Sequence, residues 1–385
     1  QDLVTGPDII FFWVARMIMA GLYFKNEIPF SNVYFTSIIR DENGKKMSKS
    51  LGNSPDPIEL FDKYGVDAVR VSILMIAPQG TDVLFSIDRL EQGRNFMNKL
   101  WNSSRFLMMN IDDISSIKNI NKINFQELEA IDFWILSKLN KTINLVDTQL
   151  SNYKLNEAIK TIYNFVWRDY CDWYIEFSKN RMYGNNLKEK ELNISVAVHV
   201  LKTILKLLHP YAPFITEEIW SFFKQSNENI LVKTQWPAVD TKLINSNIEE
   251  ELNFIMNVIS AIRNIRAELN VSPKKEAELI CRGSENKIDI IVRNKKYFES
   301  LTKIKSILYG DNISKPDLCS TAVINDVELF LPLAGLIDIE KEINRLKSNI
   351  KDIEARMNSV KKKLDNENFV KRAPENIVKH EQKKY

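Results

Sequence analysis

Cysteine and histidine are scarce in this 385-residue chain, which has three residues of each. Cys171, Cys281 and Cys319 lie far apart and form no C-x-x-C pair, so the sequence excludes a disulfide framework and a zinc knuckle. The histidines show no metal-ligand spacing, and His199 lies in an apolar stretch where a packed imidazole is more common than a metal ligand. We therefore expect no protein-bound metal and a reducing compartment, the cytoplasm.

An excess of one charge is also missing. The chain has 53 Lys and Arg against 50 Asp and Glu, a net charge of +3, which is too small to attract nucleic acid by itself. Any basic surface must therefore be local. Charged residues at 27% and hydrophobic residues at 44% are ordinary globular values that exclude disorder and collagen, and the length predicts two or three domains.

The chain lacks an uninterrupted apolar run of membrane-spanning length. Its most apolar segment, residues 9–24, follows Asp8, contains Arg16 and has no basic region before it. A signal peptide begins with basic residues, and a membrane span needs about 20 mostly apolar residues. We therefore expect a buried helix here and no membrane contact.

The most informative segment that is present is Lys46-Met47-Ser48-Lys49-Ser50. It follows Asn43-Gly44, a strong hairpin signal, which in turn follows the β-branched and aromatic run 33–39. A strand thus delivers a loop with two lysines, two hydroxyls and no acid. Ammonium groups on flexible stems can follow negative charge onto a leaving group, so the loop suits closure over a polyphosphate. A solvated basic loop is the alternative for an arbitrary pentamer of this composition.

Residues 1–110 form the first predicted domain. Residues 1–60 indicate a helix, a crossing strand and the lysine loop, as in the closing part of an α/β nucleotide-binding sheet. Asp56 can cap a helix that has Pro57 in its first turn, and we expect this helix to break near Gly65. A further helix is predicted over residues 86–110.

Residues 111–240 are predicted to be a helical bundle, entered through a polar linker at 112–124. Three apolar stripes at helical spacing support the bundle. They consist of Ile131, Ile135, Leu139, Ile143, Val146 and Leu150; Ala158, Ile159, Ile162, Phe165 and Val166; and Val200, Leu201, Ile204, Leu205 and Leu208. The tryptophans of this region are interpreted as core and rim residues rather than as base-stacking platforms. Residues 241–335 then predict one helix and a small mixed α/β module.

Residues 336–385 contain the most regular pattern in the chain. Eight apolar residues step by four and three in alternation, and they are Ile339, Ile343, Leu346, Ile350, Ile353, Met357, Val360 and Leu364. This heptad seam predicts a coiled-coil helix, which buries its stripe against a partner helix. The segment also carries the adjacent lysines 361–363.

Several motifs resemble a known family. The loop matches the KMSKS signature of class I aminoacyl-tRNA synthetases letter for letter, and its surroundings resemble the valyl-tRNA synthetases. The similar segments are TGPDIIFFWVARM at 5–17, KYGVDAVR at 63–70, GRNFMNKLWN at 93–102, HPYAPFITEE at 209–218 and IRNIRAE at 262–268. This resemblance runs in order along essentially the whole chain. It implies a mixed fold, with the C-terminal end of a Rossmann-type catalytic domain followed by the helical bundle, the α/β module and a coiled-coil arm.

The resemblance also implies a reaction and a set of site residues. Valine would be activated by ATP, accompanied by Mg²⁺, and then transferred to its tRNA. Lys49 would contact the pyrophosphate, supported by Lys46, while Asp8 would bind the ribose of ATP. Ile9 and Trp13 would line the valine pocket. The remaining loop residues expected to shape the ATP site are Met47, Ser48 and Ser50.

For the tRNA, the resemblance implies that the bundle reads the anticodon region and that the coiled coil packs against the outer corner. The candidate phosphate contacts are Arg94, Lys99, Lys361, Lys362 and Lys363. The sequence contains no H-I-G-H-like segment and begins with Gln1, so we expect the C-terminal portion of a monomeric ligase, inactive by itself. The alternatives are a non-catalytic tRNA-binding module and a coiled-coil scaffold without an RNA role.

Overall fold

The computed structural model describes all residues except 42, 78–79, 311–312, 367–377, 379, 381 and 384–385. Its described part is mostly helical, with a small mixed sheet. The chain divides into two compact units, 1–253 and 254–385, which we describe separately. The division falls inside one helix, whereas the sequence predicted a boundary near residue 240; the limits of the four predicted domains stay predictions.

The first unit begins with two small parallel sheets. Strand β1 (Asp2–Thr5) pairs with β2 (Asn32–Phe35), and β3 (Ile39–Arg40) pairs with β4 (Val83–Leu84). Between β1 and β2 lie a 3-10 turn, a π-helical turn over Ile10–Val14, and helix α1 (Ala15–Lys25). The crossing strand and the helix before the lysine loop are therefore present.

The expectation of a buried helix at residues 9–24 is wrong for this structure. Phe11 and Phe12 are 80% and 77% exposed, and Val14 is the buried residue of the helical turn that contains them. The reason is that a two-stranded sheet offers too little apolar surface to cover a helical segment of this length. The segment Pro7–Lys25 is long and apolar enough to cross a membrane, with 6% of its most apolar window buried, which by itself is weak evidence for a membrane span.

Three helices follow the lysine loop. Helix α2 (Pro57–Tyr64) begins as predicted, because the Asp56 carboxylate accepts a hydrogen bond from the Ile58 amide at 2.8 Å. Gly65, at φ +88°, separates it from α3 (Val66–Ile76). Helix α4 (Ile87–Met108) crosses α3 at Gly93, where a Cβ atom would lie 2.3 Å from the Ala68 carbonyl oxygen. Glycine is required at this crossing.

The predicted bundle is present. It consists of α5 (Ala130–Ser151), α6 (Leu155–Asn164), a π-helical segment over Phe165–Tyr174, α7 (Ile175–Met182), α8 (Leu187–Leu208) and α9 (Pro213–Phe223). The apolar stripes are buried, apart from Leu150 at the end of the first. Trp134 and Trp220 are core residues, while the rings of Trp167 and Trp173 are half-buried at the rim.

The polar stretch 112–124, predicted to be a linker into the bundle, packs against that bundle. Ile120 and Ile123 are buried, and the Lys118 amide donates to the Ser195 hydroxyl at 3.0 Å. Gln225 donates to the Ile117 carbonyl at 3.2 Å. The isolated isoleucines among the polar residues thus attach this stretch to the bundle.

Helix α10 (Ser246–Glu268) leads into the second unit, which contains the predicted mixed module. Strands β5 (Ala277–Arg282), β6 (Ile304–Tyr309), β7 (Cys319–Ile324) and β8 (Val327–Pro332) form one sheet in the order β6-β5-β8-β7. The β5–β6 pair is parallel and is connected through α11 (Glu285–Arg293) and α12 (Lys295–Thr302), whereas both pairs that involve β8 are antiparallel.

The heptad pattern forms helix α13 (Ile339–Asp365), which begins with the Asp338 carboxylate accepting from the Lys341 amide at 3.1 Å. No seam residue within the described helix is buried, and the central ones, from Ile343 to Met357, are exposed. The helix is therefore confirmed, while its pairing into a coiled coil stays a prediction. Part of the segment after it lies outside the described residues.

Candidate functional site

The lysine loop begins with a tight turn after β3. The Asp41 carboxylate accepts from the backbone amides of Asn43 and Lys45 at 3.0 and 2.8 Å, and Gly44 has a φ of +76°. An isolated antiparallel bridge joins Arg40 to Lys46. The Asn-Gly signal therefore predicted the turn, although the hairpin beside it consists of a single bridge.

Asn53 fixes the loop behind this turn, and sequence reasoning did not identify it. Its side-chain amide donates to the Asp41 carboxylate at 2.8 Å and to the Lys46 carbonyl at 3.3 Å, and its oxygen accepts from the Ser48 amide at 3.0 Å. The hydrogen bond from Asn53, followed by those from the turn amides, lowers the pKa of Asp41 below its usual value. One neutral side chain thus holds both ends of the segment 41–48.

Asp8 and Lys46 come together although they are 38 positions apart in the sequence. The Lys46 Nζ atom lies 3.1 Å from an Asp8 carboxylate oxygen, and the two side chains are 63% and 49% exposed. A Cβ atom on Gly6 would lie 2.7 Å from the other Asp8 oxygen, so the glycine makes room for the carboxylate. The structure therefore joins two residues that were assigned separately to the ATP site.

The other loop residues differ in what they contact. The hydroxyls of Ser48 and Ser50 lie 3.1 Å apart, and the Ser48 hydroxyl accepts from the Leu51 amide at 3.3 Å. Met47 lines an apolar cavity of 340 Å³ together with Leu60 and Phe85. Lys49 begins a short 3-10 turn, and its side chain lies outside the described part of the structure.

Ile9 and Trp13, assigned to the valine pocket, lie one helical turn apart in the segment that follows Asp8. They are 39% and 43% exposed. Neither lines the apolar cavity beside Met47. Both residues lie in the segment that begins at Asp8 and both are partly exposed, and their role in a valine pocket stays a prediction.

Two other motifs dock against each other. The buried Asp67 carboxylate on α3 accepts a 2.6 Å hydrogen bond from the Ile215 amide in the first turn of α9. It thereby caps α9, whose own N-cap residue, Ala212, has no side chain that can accept a hydrogen bond. Arg70 donates to the carbonyls of Pro210 and Tyr211, both at 3.1 Å. Burial raises the pKa of Asp67. The helices that follow the lysine loop are thus attached directly to the bundle.

The predicted tRNA contacts lie in different settings. Arg94 is exposed on α4, whereas Lys99 forms an ion pair with Asp172 and lies 4.9 Å from the centre of the Trp167 ring. Lysines 361–363 are exposed on α13. Because the Lys99 ammonium already has an anionic partner, it is the weakest of these candidates for a phosphate contact.

The bundle also contains a polar cavity of 380 Å³ lined by His199, Lys202, Lys206 and Glu228. Burial, and then the positive charges of Lys206 and Lys202, lower the pKa of His199 to about 4, so its imidazole is neutral at pH 7. Lys202 forms a 2.6 Å ion pair with Glu228. Among the described residues, no group of three or more His, Cys, Asp or Glu side chains could hold a metal ion.

Comparisons with known families define the class of protein to which this loop and bundle belong. Residues 1–86 match the family described as "tRNA synthetases class I (I, L, M and V)". Residues 132–281 match "Anticodon-binding domain of tRNA ligase", and residues 338–385 match "Valyl tRNA synthetase tRNA binding arm". In fold, the chain is similar to the protein in a LeuRS–tRNA–LeuAMS complex from Agrobacterium radiobacter K84, with a TM-score of 0.50. The similarity covers 64% of this chain and 30% of that one, at 20% sequence identity.

Whole-chain relatives identify the particular family. The chain is 41% identical to a valine–tRNA ligase from Fusobacterium nucleatum and 43% identical to one from Clostridium perfringens, in each case over 100% of this chain. It spans 44% and 43% of the length of those relatives. The chain belongs to the valyl-tRNA synthetase family.

Proposed function

We propose that this chain supplies the pyrophosphate-side loop and the tRNA-binding modules of a valine–tRNA ligase. In the first step, a valine carboxylate oxygen attacks the α-phosphorus of ATP, the α–β anhydride bond breaks, and pyrophosphate leaves. In the second step, a hydroxyl of the terminal ribose of the tRNA attacks the carbonyl carbon of the adenylate, and AMP leaves. Neither step needs a covalent bond to the protein, so position and charge stabilisation carry the catalysis.

The observation that carries this proposal is the contact between Asp8 and Lys46. A ribose hydroxyl can donate to the Asp8 carboxylate, and the freed Lys46 ammonium can then follow the phosphates. Lys49, the second lysine of the loop, would stabilise the charge that develops on the leaving pyrophosphate. Met47, Ser48 and Ser50 would hold the backbone that presents both lysines.

The substrates fit the charges of the loop. Because no acidic side chain stands between Lys46 and Ser50, Mg²⁺ would arrive with ATP and bind chiefly to its phosphate oxygens. Ile9 and Trp13 would contact the valine side chain once the rest of a ligase covers them. A cytoplasmic location and a monomeric complete enzyme are part of the same proposal.

For tRNA, the support is the exposed lysine cluster 361–363 on α13 together with the matched anticodon-binding and arm families. Arg94 would add a contact from α4. The second candidate is a tRNA-binding module without chemistry, and the exposure of Ile9 and Trp13, at 39% and 43%, favours it for the isolated chain.

One experiment separates these functions. The isolated chain is titrated with valine tRNA and assayed for valine-dependent pyrophosphate exchange, with a second tRNA as the specificity control. We expect weak binding of valine tRNA and no exchange above background. Exchange by the chain alone would show that these residues suffice for activation, whereas absence of tRNA binding would refute the proposed function.

A further inference from the structure

A second basic site lies in the unit 254–385, away from the lysine loop in sequence. It is a cleft of 530 Å³ between the end of α10 and the end of α12, which we call the α10–α12 cleft. Its charged lining residues are Arg263, Arg266 and Lys303, and within the described part of the chain no acidic residue lines it. A cleft with three cations and no carboxylate is complementary to an anion.

The two arginines build the walls of this cleft. Arg266 donates through Nη2 to the carbonyls of Ser272 and Lys275 at 3.0 and 2.6 Å, and so fixes the loop after α10. Arg263, one turn earlier, donates from Nε to the Leu301 carbonyl at 3.2 Å and so holds the end of α12. Both side chains are thereby pre-ordered, which lowers the entropy cost of binding a ligand.

Arg266 carries a charge that the described protein does not neutralise. Arg266 is 7% exposed, and its Nη1 atom has no hydrogen-bond partner. In the described structure, no carboxylate lies within ion-pair distance of this guanidinium. A buried guanidinium without a counter-ion is costly, and an anion bound nearby would offset that cost.

Backbone geometry presents the third cation. Lys303 has a φ of +57°, a conformation that lysine rarely adopts, and it ends α12 there. Asn270, which also lines the cleft, has a φ of +49°. Two lining residues therefore adopt the left-handed backbone conformation, and at Lys303 a long basic side chain takes a position that asparagine or glycine would fit more readily.

We propose that the α10–α12 cleft binds the phosphate group of a nucleotide, either in an RNA backbone or free in solution. Three positive charges suit a phosphate better than a single carboxylate, and Arg266 acts through its charge because its Nη1 atom is buried and its Nη2 atom already donates to two carbonyls. The volume exceeds that of a lone phosphate ion and leaves room for an attached sugar. The RNA form of this inference rests on the proposed function, whereas the free-nucleotide form does not.

The test uses the full chain, the variant Lys303→Asn and the matched control Lys305→Gln. Asparagine keeps the left-handed backbone while removing the charge, and Lys305 is an exposed lysine two residues away that does not line the cleft. Cytidine monophosphate, with cytidine as the ligand without phosphate, is tested by thermal shift at constant ionic strength. Valine tRNA is titrated over a series of salt concentrations.

If the cleft binds free nucleotides, cytidine monophosphate raises the melting temperature of the parent and of Lys305→Gln, and Lys303→Asn loses at least half of that rise. If it binds RNA backbone, Lys303→Asn weakens tRNA binding about 3- to 10-fold and reduces the salt slope by about one relative to the control. If the parent binds no tRNA but is stabilised by cytidine monophosphate, and Lys303→Asn loses that stabilisation, the inference about the cleft stands and the proposed function is refuted. Equal behaviour of the two variants in both assays overturns the inference.

Discussion

The hydrogen bonds of Asn53 give a quantitative test of the loop. Asn53→Ala removes two well-formed hydrogen bonds, to Asp41 at 2.8 Å and from Ser48 at 3.0 Å, and one longer bond to the Lys46 carbonyl at 3.3 Å. Each well-formed bond contributes about 1 kcal/mol net, so Asn53→Ala should reduce the stability of the ordered loop, relative to its disordered conformations, by about 2 kcal/mol. That corresponds to a roughly 30-fold lower ratio of ordered to disordered loops.

The assay is valine-dependent pyrophosphate exchange in a complete ligase that carries this chain. We expect Asn53→Ala to lower the rate constant about 10- to 30-fold with a smaller change in the Michaelis constant for valine, because ordering of the loop matters most as pyrophosphate leaves. Asn43→Ala is the matched control, since its side chain is exposed in the same loop. An Asn53→Ala enzyme with the parental rate constant would refute the claim that this side chain orders the loop.

Three further changes test other parts of the molecule. In the complete ligase, Lys49→Ala should reduce adenylate formation by about 100- to 1,000-fold, and an effect confined to the Michaelis constant for ATP would contradict its transition-state role. His199 has a folded-state pKa near 4, below its usual 6.5, so its stability contribution is complete above pH 6.5 and is lost as the pH falls towards 4. Urea unfolding at pH 7 and 4.5 should show this loss in the parent and less of it in His199→Gln, and equal losses would be the contrary result. Polar replacement of Ile350 and Ile353 should reduce self-association through the α13 seam, which sedimentation measures; a parent that is monomeric at high concentration would show that the seam does not self-associate.

Local patterns predicted much of the fold because their physical causes are local. The Asp56 cap, the break at Gly65 and the heptad of α13 each depend on residues within a few positions of one another. The turn at Asn43-Gly44 belongs to the same group. For such elements the residue that gives the pattern and the residue that it contacts are close together in the sequence.

Contacts between distant residues explain what the sequence could not predict. Asn53 was missed because its function depends on how the turn at Asp41 folds back towards it, and nothing in its neighbours indicates that. The exposure of Phe11 and Phe12 was not predicted either. An apolar helical segment predicts burial, but its own sequence does not show whether another element is present to cover it. Lys99 was one of the candidate phosphate contacts, and the structure adds an ion pair with Asp172 that its neighbours in the sequence do not indicate; its role stays a prediction.

The docking of Asp67 and Arg70 onto the start of α9 has a consequence for how this protein can be divided. Excision of the bundle at residue 132, where the anticodon-binding match begins, would remove the acceptor of the Ile215 amide and the donor to the Pro210 and Tyr211 carbonyls. The residue at which a family match begins is therefore not the boundary of a cooperatively folding unit. In hydrogen exchange, the amides of α3 should open together with those of α8 and α9.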